Sequence, residues 1–170
     1  MKYCLLIGFI IVSTLMQAQH GTQTTSSVTV EGKVKKGFIF SLVELDGYKS
    51  ISLDSIVIYN HLMERKKVLK NIKGVLLKDV LMKIEIDISS PKLLSEFYFT
   101  CIAADGYKVV YSWNEIFNSV IGNQAMIITE ADGVKAKDRK DCIALLCPAD
   151  IATGRRYVQG LQKIIIERVQ

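Results

Sequence analysis

The residues best suited to chemistry lie in the segment CPADIATGRRYVQG (147–160), which follows the apolar run DCIALLC. Arg155 and Arg156 are adjacent in this segment. A guanidinium is planar, and its N–H donors suit a phosphate, a carboxylate, or the carbonyl and ring-nitrogen acceptors of a flat heterocycle. The arginine pair therefore predicts either a small planar or anionic ligand, or an internal ion pair with a carboxylate such as Asp105 or Asp150.

Aromatic residues accompany the arginines in segments where a strand is predicted to give way to a loop. They are Tyr107, Tyr111, Trp113 and Tyr157. An aromatic face can stack on a planar ligand, so Trp113, Tyr107 and Tyr157 are candidate ligand contacts, although Trp113 fits an ordinary core position equally well. Asp105 is a further candidate beside Tyr107, but its place before a glycine is also typical of a hairpin turn.

The sequence offers no recognisable catalytic motif. It contains no GxSxG, HExxH, P-loop or GxGxxG pattern. His61 is the one histidine in the predicted folded part, and it could pair with Cys101 as base and nucleophile, although no further feature supports that pairing. We therefore assign no catalytic residue, and we keep His61 as a candidate ligand contact.

Three cysteines lie in the predicted folded part, namely Cys101, Cys142 and Cys147. No CxxC pair is present, so their spacing does not predict a zinc site or any other metal site. Cys142 and Cys147 are five residues apart, and on one strand they would face opposite sides. Three buried free thiols are the favoured interpretation, while one bridge from Cys101 to either of the others stays open.

The N-terminal sequence predicts export, most simply to a bacterial periplasm. One lysine precedes a short apolar run and a small residue, which is typical of a signal peptide over residues 1–18. A polar leader is predicted over 19–27, followed by one domain over 28–170, and no stable membrane span is expected after cleavage. The net charge of +5 comes from lysines scattered beside turns, which argues against a nucleic-acid partner.

The pattern of apolar residues predicts a mostly β protein of the α+β class. About eight short strands are expected, among them SVTVEGKV, ISLDSIVIYN, EFYFTCIAA and GLQKIIIERV. Short helices are predicted at FSLVELDGY, LLKDVLMKI and SWNEIF, the first and last with serine caps. No helix is long enough to cross over throughout a parallel sheet, so several antiparallel or mixed sheets with two or three short helices are expected.

Three stretches in order resemble a known family: GVLLKDVLMKI, CIAADGYKVVYSWNEIF and LLCPADIATGRRYVQGLQKIIIERV. Together they are similar to the oxidoreductase molybdopterin-binding domain of the sulfite oxidase type, and more narrowly to its small, exported bacterial members. The resemblance covers about Val28 to Val169. It implies several mixed sheets and a pocket for a pterin or molybdopterin.

The sequence departs from that family at the metal ligand. The resemblance implies a molybdenum-binding cysteine after the strand that precedes GVLLKDVL, but here DSIVIYNHLME carries Asn60 and His61 instead. Catalytic relatives continue their Gly-x-Arg-x-Val motif with lysine and tryptophan, whereas this chain has Gln159 and Gly160. The arginine of the motif is kept as Arg156.

These observations predict an exported pterin-binding or molybdopterin-binding-like domain that lacks oxidase chemistry and serves as a ligand-binding or sensing module. Its expected ligand is a small planar heterocycle, and a membrane sensor or a redox protein is its expected partner. Two alternatives stay open: a subunit of a molybdenum-cofactor oxidoreductase with an unusual ligand such as His61 or Cys101, and a structural or interaction protein that keeps only the fold.

Overall fold

A computed structural model describes residues 25–170 of the chain. The predicted signal peptide (1–18) and the first part of the predicted leader lie outside the described residues. The last leader residues belong to the fold, because the Ser26 carbonyl accepts a hydrogen bond from the Leu42 N–H and Ser27 begins the first strand. Residues slightly before the predicted start at Val28 thus take part in the fold.

Residues 25–170 form strands that alternate with short helices. The strands are β1 (Ser27–Gly32), β2 (Phe38–Ser41), β3 (Ser50–Tyr59), β4 (Arg65–Leu76), β5 (Phe97–Ala103), β6 (Lys108–Ser112), β7 (Met126–Ala131), β8 (Val134–Lys135), β9 (Ala144–Leu146), β10 (Val158–Gln159) and β11 (Leu161–Arg168). The helices are α1 (Leu42–Leu45), α2 (Leu77–Leu81) and α3 (Trp113–Phe117). Single 3-10 turns cover Pro91–Glu96, Val120–Asn123, Ala136–Asp138 and Thr153–Arg156.

The strands build two sheets. The first sheet has the order β2–β1–β11–β5–β6. It is mixed, because β1 and β11 run parallel while the other strand pairs of this sheet are antiparallel. The second sheet has the order β10–β9–β7–β4–β3, with β8 added beside β7, and its pairs are antiparallel. The predicted class, mostly β with antiparallel and mixed sheets and a few short helices, is confirmed.

Alternating burial along the strands forms the core. Along β5, Phe97, Phe99, Cys101 and Ala103 are buried while the residues between them are half-buried. These side chains join the larger of two apolar clusters, which also holds Tyr111. A smaller cluster lies on the second sheet and contains Ile58, Leu69, Ile72, Met126, Ile128, Ala131, Ala144, Leu146 and Tyr157. The candidate site lies beside the smaller cluster.

Local sequence signals predicted two helix starts correctly. Ser41 and Glu44 form a reciprocal capping box at α1, as do Ser112 and Glu115 at α3. The predicted helix LLKDVLMKI is shorter than expected, because Leu76 still pairs in β4 and α2 ends at Leu81. An apolar residue is buried in either conformation, so its spacing alone did not reveal where the strand ended.

Two further predictions concern the thiols and the membrane. Cys101, Cys142 and Cys147 are all buried and free, as the favoured interpretation expected. Between Thr25 and the C-terminus, no helix has the length and apolar character required to cross a membrane.

Candidate ligand-binding cleft

The arginine pair is positioned by a 3-10 turn (Thr153–Arg156) that packs on the end of β3. The Thr153 hydroxyl donates a hydrogen bond to the Val57 carbonyl at 2.7 Å and accepts one from the Tyr59 N–H at 3.0 Å. Gly154 lies so close to β3 that a Cβ atom would be 2.6 Å from the Tyr59 carbonyl oxygen. The turn is therefore fixed against the sheet, and its two arginines have different surroundings.

Arg156 is bound by carboxylates of its own chain. Its Nε donates to Asp150 Oδ2 at 2.9 Å, its Nη2 donates to the other oxygen of Asp150, and its Nη1 donates to Glu115 Oε1 at 2.9 Å. The side chains of Arg156 and Asp150 are only 18% and 12% exposed. Arg156 thus adopts the internal ion pair that the sequence left open, with Asp150 as its main partner.

The buried tyrosine beneath Arg156 completes this arrangement. The guanidinium carbon of Arg156 lies 4.3 Å from the ring centre of Tyr111, within the range of a cation–π contact. The hydrogen bond with Asp150 raises the pKa of Arg156 further above its usual range, despite the opposing effect of burial. Burial of Tyr111 raises the pKa of its hydroxyl. The cation is therefore permanent and serves to join the last turn to α3 and β6.

Arg155 lies in a different environment, at the wall of an open cavity. The cavity has a volume of about 390 Å³ and is lined by Asn60, His61, Tyr107, Gly154 and Arg155. The side chain of Arg155 is exposed, and within residues 25–170 it donates no hydrogen bond and forms no ion pair. The predicted contacts His61, Tyr107 and Arg155 are therefore brought together around one cavity, which we call the proximal cavity.

Tyr107 and Asp105 have distinct roles at this wall. Tyr107 is 43% exposed, and its hydroxyl donates a hydrogen bond to the Arg155 carbonyl. Asp105 accepts a hydrogen bond from the Tyr107 N–H at 2.9 Å, which is the turn role that the sequence offered as its alternative. Asp105 thus positions the tyrosine, and the partly exposed side chain of Tyr107 lines the cavity.

A second cavity of about 420 Å³ continues from the first, because the two share Asn60, Tyr107 and Gly154. We call it the middle cavity. Its other lining residues are Ile58, Tyr59, Lys66, Lys67, Tyr157 and Gln159. The sequence did not single out Lys66, Lys67 or Asn60 as ligand contacts, because the basic run ERKK has the composition of a solvated loop. Only the pairing of β3 with β4 places these residues beside the arginine turn.

Tyr157 lies at the bottom of the middle cavity and is held by a buried ion pair. Arg139 donates through Nε and Nη2 to both oxygens of Asp141, at 2.9 and 2.7 Å. The Tyr157 hydroxyl donates to Asp141 at 3.1 Å and accepts from Arg139 at 3.2 Å. Burial opposes ionisation of Asp141, but the hydrogen bonds from Arg139 and Tyr157 outweigh it and hold the pKa of Asp141 below its usual range.

This network predicts a pH-dependent stability. A carboxyl group whose pKa is lowered by folding contributes its full stability above its unfolded pKa and loses it as the pH falls through the folded value. Asp141→Asn should therefore lower the free energy of unfolding by about 2 kcal/mol at pH 7. The difference in unfolding free energy between this variant and the native protein should be smaller at pH 3. Urea denaturation at both pH values measures it. The exposed Asp138→Asn is the control, and an equal loss from Asp141→Asn at both pH values would contradict the prediction.

Trp113 lies apart from the cleft that the proximal and middle cavities form together. It is half-buried at the first turn of α3, where its ring packs on Phe117 with centres 5.3 Å apart and joins the edge of the larger core. Neither Trp113 nor Arg156 lines the proximal or the middle cavity. Of the residues predicted to contact a ligand, the structure thus places His61, Tyr107, Arg155 and Tyr157 along the cleft, with Asp105 supporting Tyr107.

The residues around the cleft do not fit a molybdenum centre held by a thiolate. Cys101 lies in the middle of β5 and is fully buried, and burial raises its pKa to about 12. Cys142 and Cys147 are also buried and line neither cavity. Across Thr25–Gln170, no group of three or more histidine, cysteine or acidic side chains is arranged to hold a metal ion. The unusual cysteine ligand offered by the oxidoreductase alternative is therefore not favoured.

Comparison with known proteins supports the fold. No protein-family model matches the sequence, and no curated protein matches it. The crystal structure of the sulfane dehydrogenase SoxCD from Paracoccus pantotrophus is similar, with a TM-score of 0.59 and 14% sequence identity over 86% of this chain. The similar region spans 39% of the SoxCD chain. At this identity the likeness shows that the fold resembles part of the SoxCD chain, and nothing finer.

Proposed function

We propose that this protein binds a small, planar, negatively charged heterocycle of the pterin type in the cleft, without carrying out oxidase chemistry. The observation that carries the proposal is the exposed guanidinium of Arg155, which lines the proximal cavity and has no carboxylate partner among the described residues. A cation in this position offers a planar pair of donors to a carbonyl, a ring nitrogen or a phosphate.

The other walls of the cleft suit the same kind of ligand. Tyr107 presents a partly exposed ring, and stacking on such a ring supports a flat heterocycle. His61 adds a polar side chain to the proximal cavity, and Lys67 adds a positive charge to the neighbouring one. The side chains of Asn60 and Lys66 are already bound to Glu64. Each cavity volume lies in the range of small-molecule sites. A phosphorylated pterin combines the flat ring and the negative charge that these walls would recognise.

The test is calorimetric titration of the purified protein with dihydroneopterin phosphate and tetrahydrobiopterin. We expect micromolar binding of the phosphorylated pterin, and Arg155→Met should weaken it by about 30-fold, since a hydrogen bond to a charged group contributes about 1.5–3 kcal/mol. Lys49→Met, at an exposed site outside the cleft, is the matched control. A folded protein that produces no heat with either pterin at millimolar concentration would rule out the proposal.

A second candidate is a structural or interaction protein that keeps only the fold. The saturation of Arg156 by Asp150 and Glu115 favours it, because the arginine that matches the family motif is used internally. The same titration separates the two candidates, since a fold-only protein binds neither pterin. We place ligand binding first because Arg155 and Tyr107 are open at one cavity, which a purely structural role does not explain.

A further inference from the structure

The cleft extends beyond the proposed pterin site into a third cavity, which we call the distal cavity. It has a volume of about 620 Å³ and shares Lys67 and Gln159 with the middle cavity. Its other lining residues are Val68, Leu69, Ala131, Asp132, Val134, Arg139, Lys140 and Asp141. A single ligand that occupied the middle and distal cavities would therefore pass the side chains of Lys67 and Gln159, and both of these can donate N–H groups.

Lys67 is a cation without a carboxylate partner. Its ammonium lies 4.7 Å from the ring centre of Tyr157, and none of the ion pairs found between Thr25 and Gln170 involves it. Desolvation lowers the pKa of Lys67, Asp141 and Asp132 oppose this effect, and Arg139 adds to it. A bound anion at the junction of the two cavities would supply the negative charge that this ammonium lacks.

The distal cavity offers one exposed apolar side chain, Val134, among charged ones. Val134 is 41% exposed, and Leu69 and Ala131 are buried close to it along the same cavity. The guanidinium of Arg139 is paired within the protein, because it donates hydrogen bonds to both Asp141 oxygens and to the Tyr157 hydroxyl. The exposed side chain of Val134 can contact a flat ring, and the exposed Asp132 and Lys140 line the same cavity.

The cleft thus has three parts in order: an end with an aromatic ring and a guanidinium, a junction at Lys67, and an end where Val134 is exposed among charged side chains. We propose that it takes a dinucleotide-type ligand, in which two planar heterocycles are joined by a diphosphate. One ring lies at Tyr107 and Arg155, the diphosphate lies at Lys67 and Gln159, and the second ring lies against Val134 in the distal cavity. This inference rests on the proposed function and specifies its ligand.

Flavin nucleotides provide probes for this inference, because their ring resembles a pterin. Flavin mononucleotide supplies one ring and one phosphate, whereas flavin adenine dinucleotide supplies both rings and the diphosphate at a similar net charge. We expect flavin adenine dinucleotide to bind at least tenfold more tightly, as measured by quenching of flavin fluorescence. Lys67→Met should weaken both flavins about tenfold, since each places phosphate at the junction.

A variant of the distal wall tests the second ring alone. Val134→Asp should lower the affinity for flavin adenine dinucleotide about tenfold and leave that for flavin mononucleotide within twofold. Lys70→Met and Val43→Asp are the matched controls, because both residues are exposed and line none of the three cavities. Thermal melting of each variant establishes that it is folded.

The two levels of the proposal fail in different ways. Equal affinities for the two flavins, or no binding of either flavin while the phosphorylated pterin still binds, would overturn the dinucleotide inference and leave pterin binding intact. No binding of flavins or pterins to the folded protein would remove the proposed function together with this inference.

Discussion

Arg156→Met is expected to destabilise the folded protein by about 3 kcal/mol, because it leaves two carboxylates without their cation. Asp150 is 12% exposed and receives two hydrogen bonds from the guanidinium. Glu115 is more accessible, at 37%, so solvent softens its loss and the expected value lies at the lower end for a broken buried pair. Urea denaturation at pH 7 measures the change.

The neighbouring Arg155→Met is the matched control, since the same substitution one position earlier removes an exposed cation and should change stability by less than about 0.5 kcal/mol. The double variant of Arg156→Met with Asp150→Asn should be more stable than the sum of the single losses predicts, because neither group then lacks its partner. If Arg156→Met lowered the free energy of unfolding by less than about 1 kcal/mol, the ion pair would contribute little to stability.

Gly122→Ala is expected to lower the free energy of unfolding by at least about 3 kcal/mol, because a methyl group at this position collides with the backbone. The new Cβ would lie 1.7 Å from the Ile116 carbonyl oxygen and 2.6 Å from its carbon. Neither atom belongs to a flexible side chain, so the turn at Val120–Asn123 must move away from α3. Since α3 carries Glu115, the shift also loosens the contact with Arg156.

Gly37→Ala provides the comparison for this substitution. A Cβ at Gly37 would meet its nearest atom, the Val30 carbonyl oxygen, at 3.6 Å, which is an ordinary contact. Its cost should stay within about 0.5 kcal/mol in the same denaturation experiment. Equal stabilities of the two alanine variants would contradict the close approach of Val120–Asn123 to α3.

Local chemistry explains which parts of the fold could be predicted from the sequence. The capping boxes at Ser41 and Ser112 need only residues three positions apart, and the turn at Asp105 needs only the following glycine. The pattern of apolar residues predicted β3, β5 and β11 in the same way. The length of α2 could not be predicted, because whether Leu76 joins the strand or the helix depends on its pairing with Met126.

The cleft could not be predicted in the same way, because contacts between distant parts of the chain form it. The sequence identified both arginines and offered Asp150 as a partner, but it could not say which arginine would be bound internally. That choice is made by the Thr153 turn, which places Arg156 beside Asp150 and Glu115 and Arg155 at the open wall. The sequence also predicts Lys67 to be a solvated loop charge. The residues around it do not show that its strand passes Tyr157.

The hydroxyl of Thr153 also bears on how the molecule behaves at high concentration. An outer strand with unpaired backbone groups can recruit a strand from another molecule and so begin aggregation. Because β3 lies at the edge of its sheet, the Val57 carbonyl and the Tyr59 N–H would be such groups, and one threonine side chain occupies both. The end of β3 beside the cleft is therefore closed to strand recruitment.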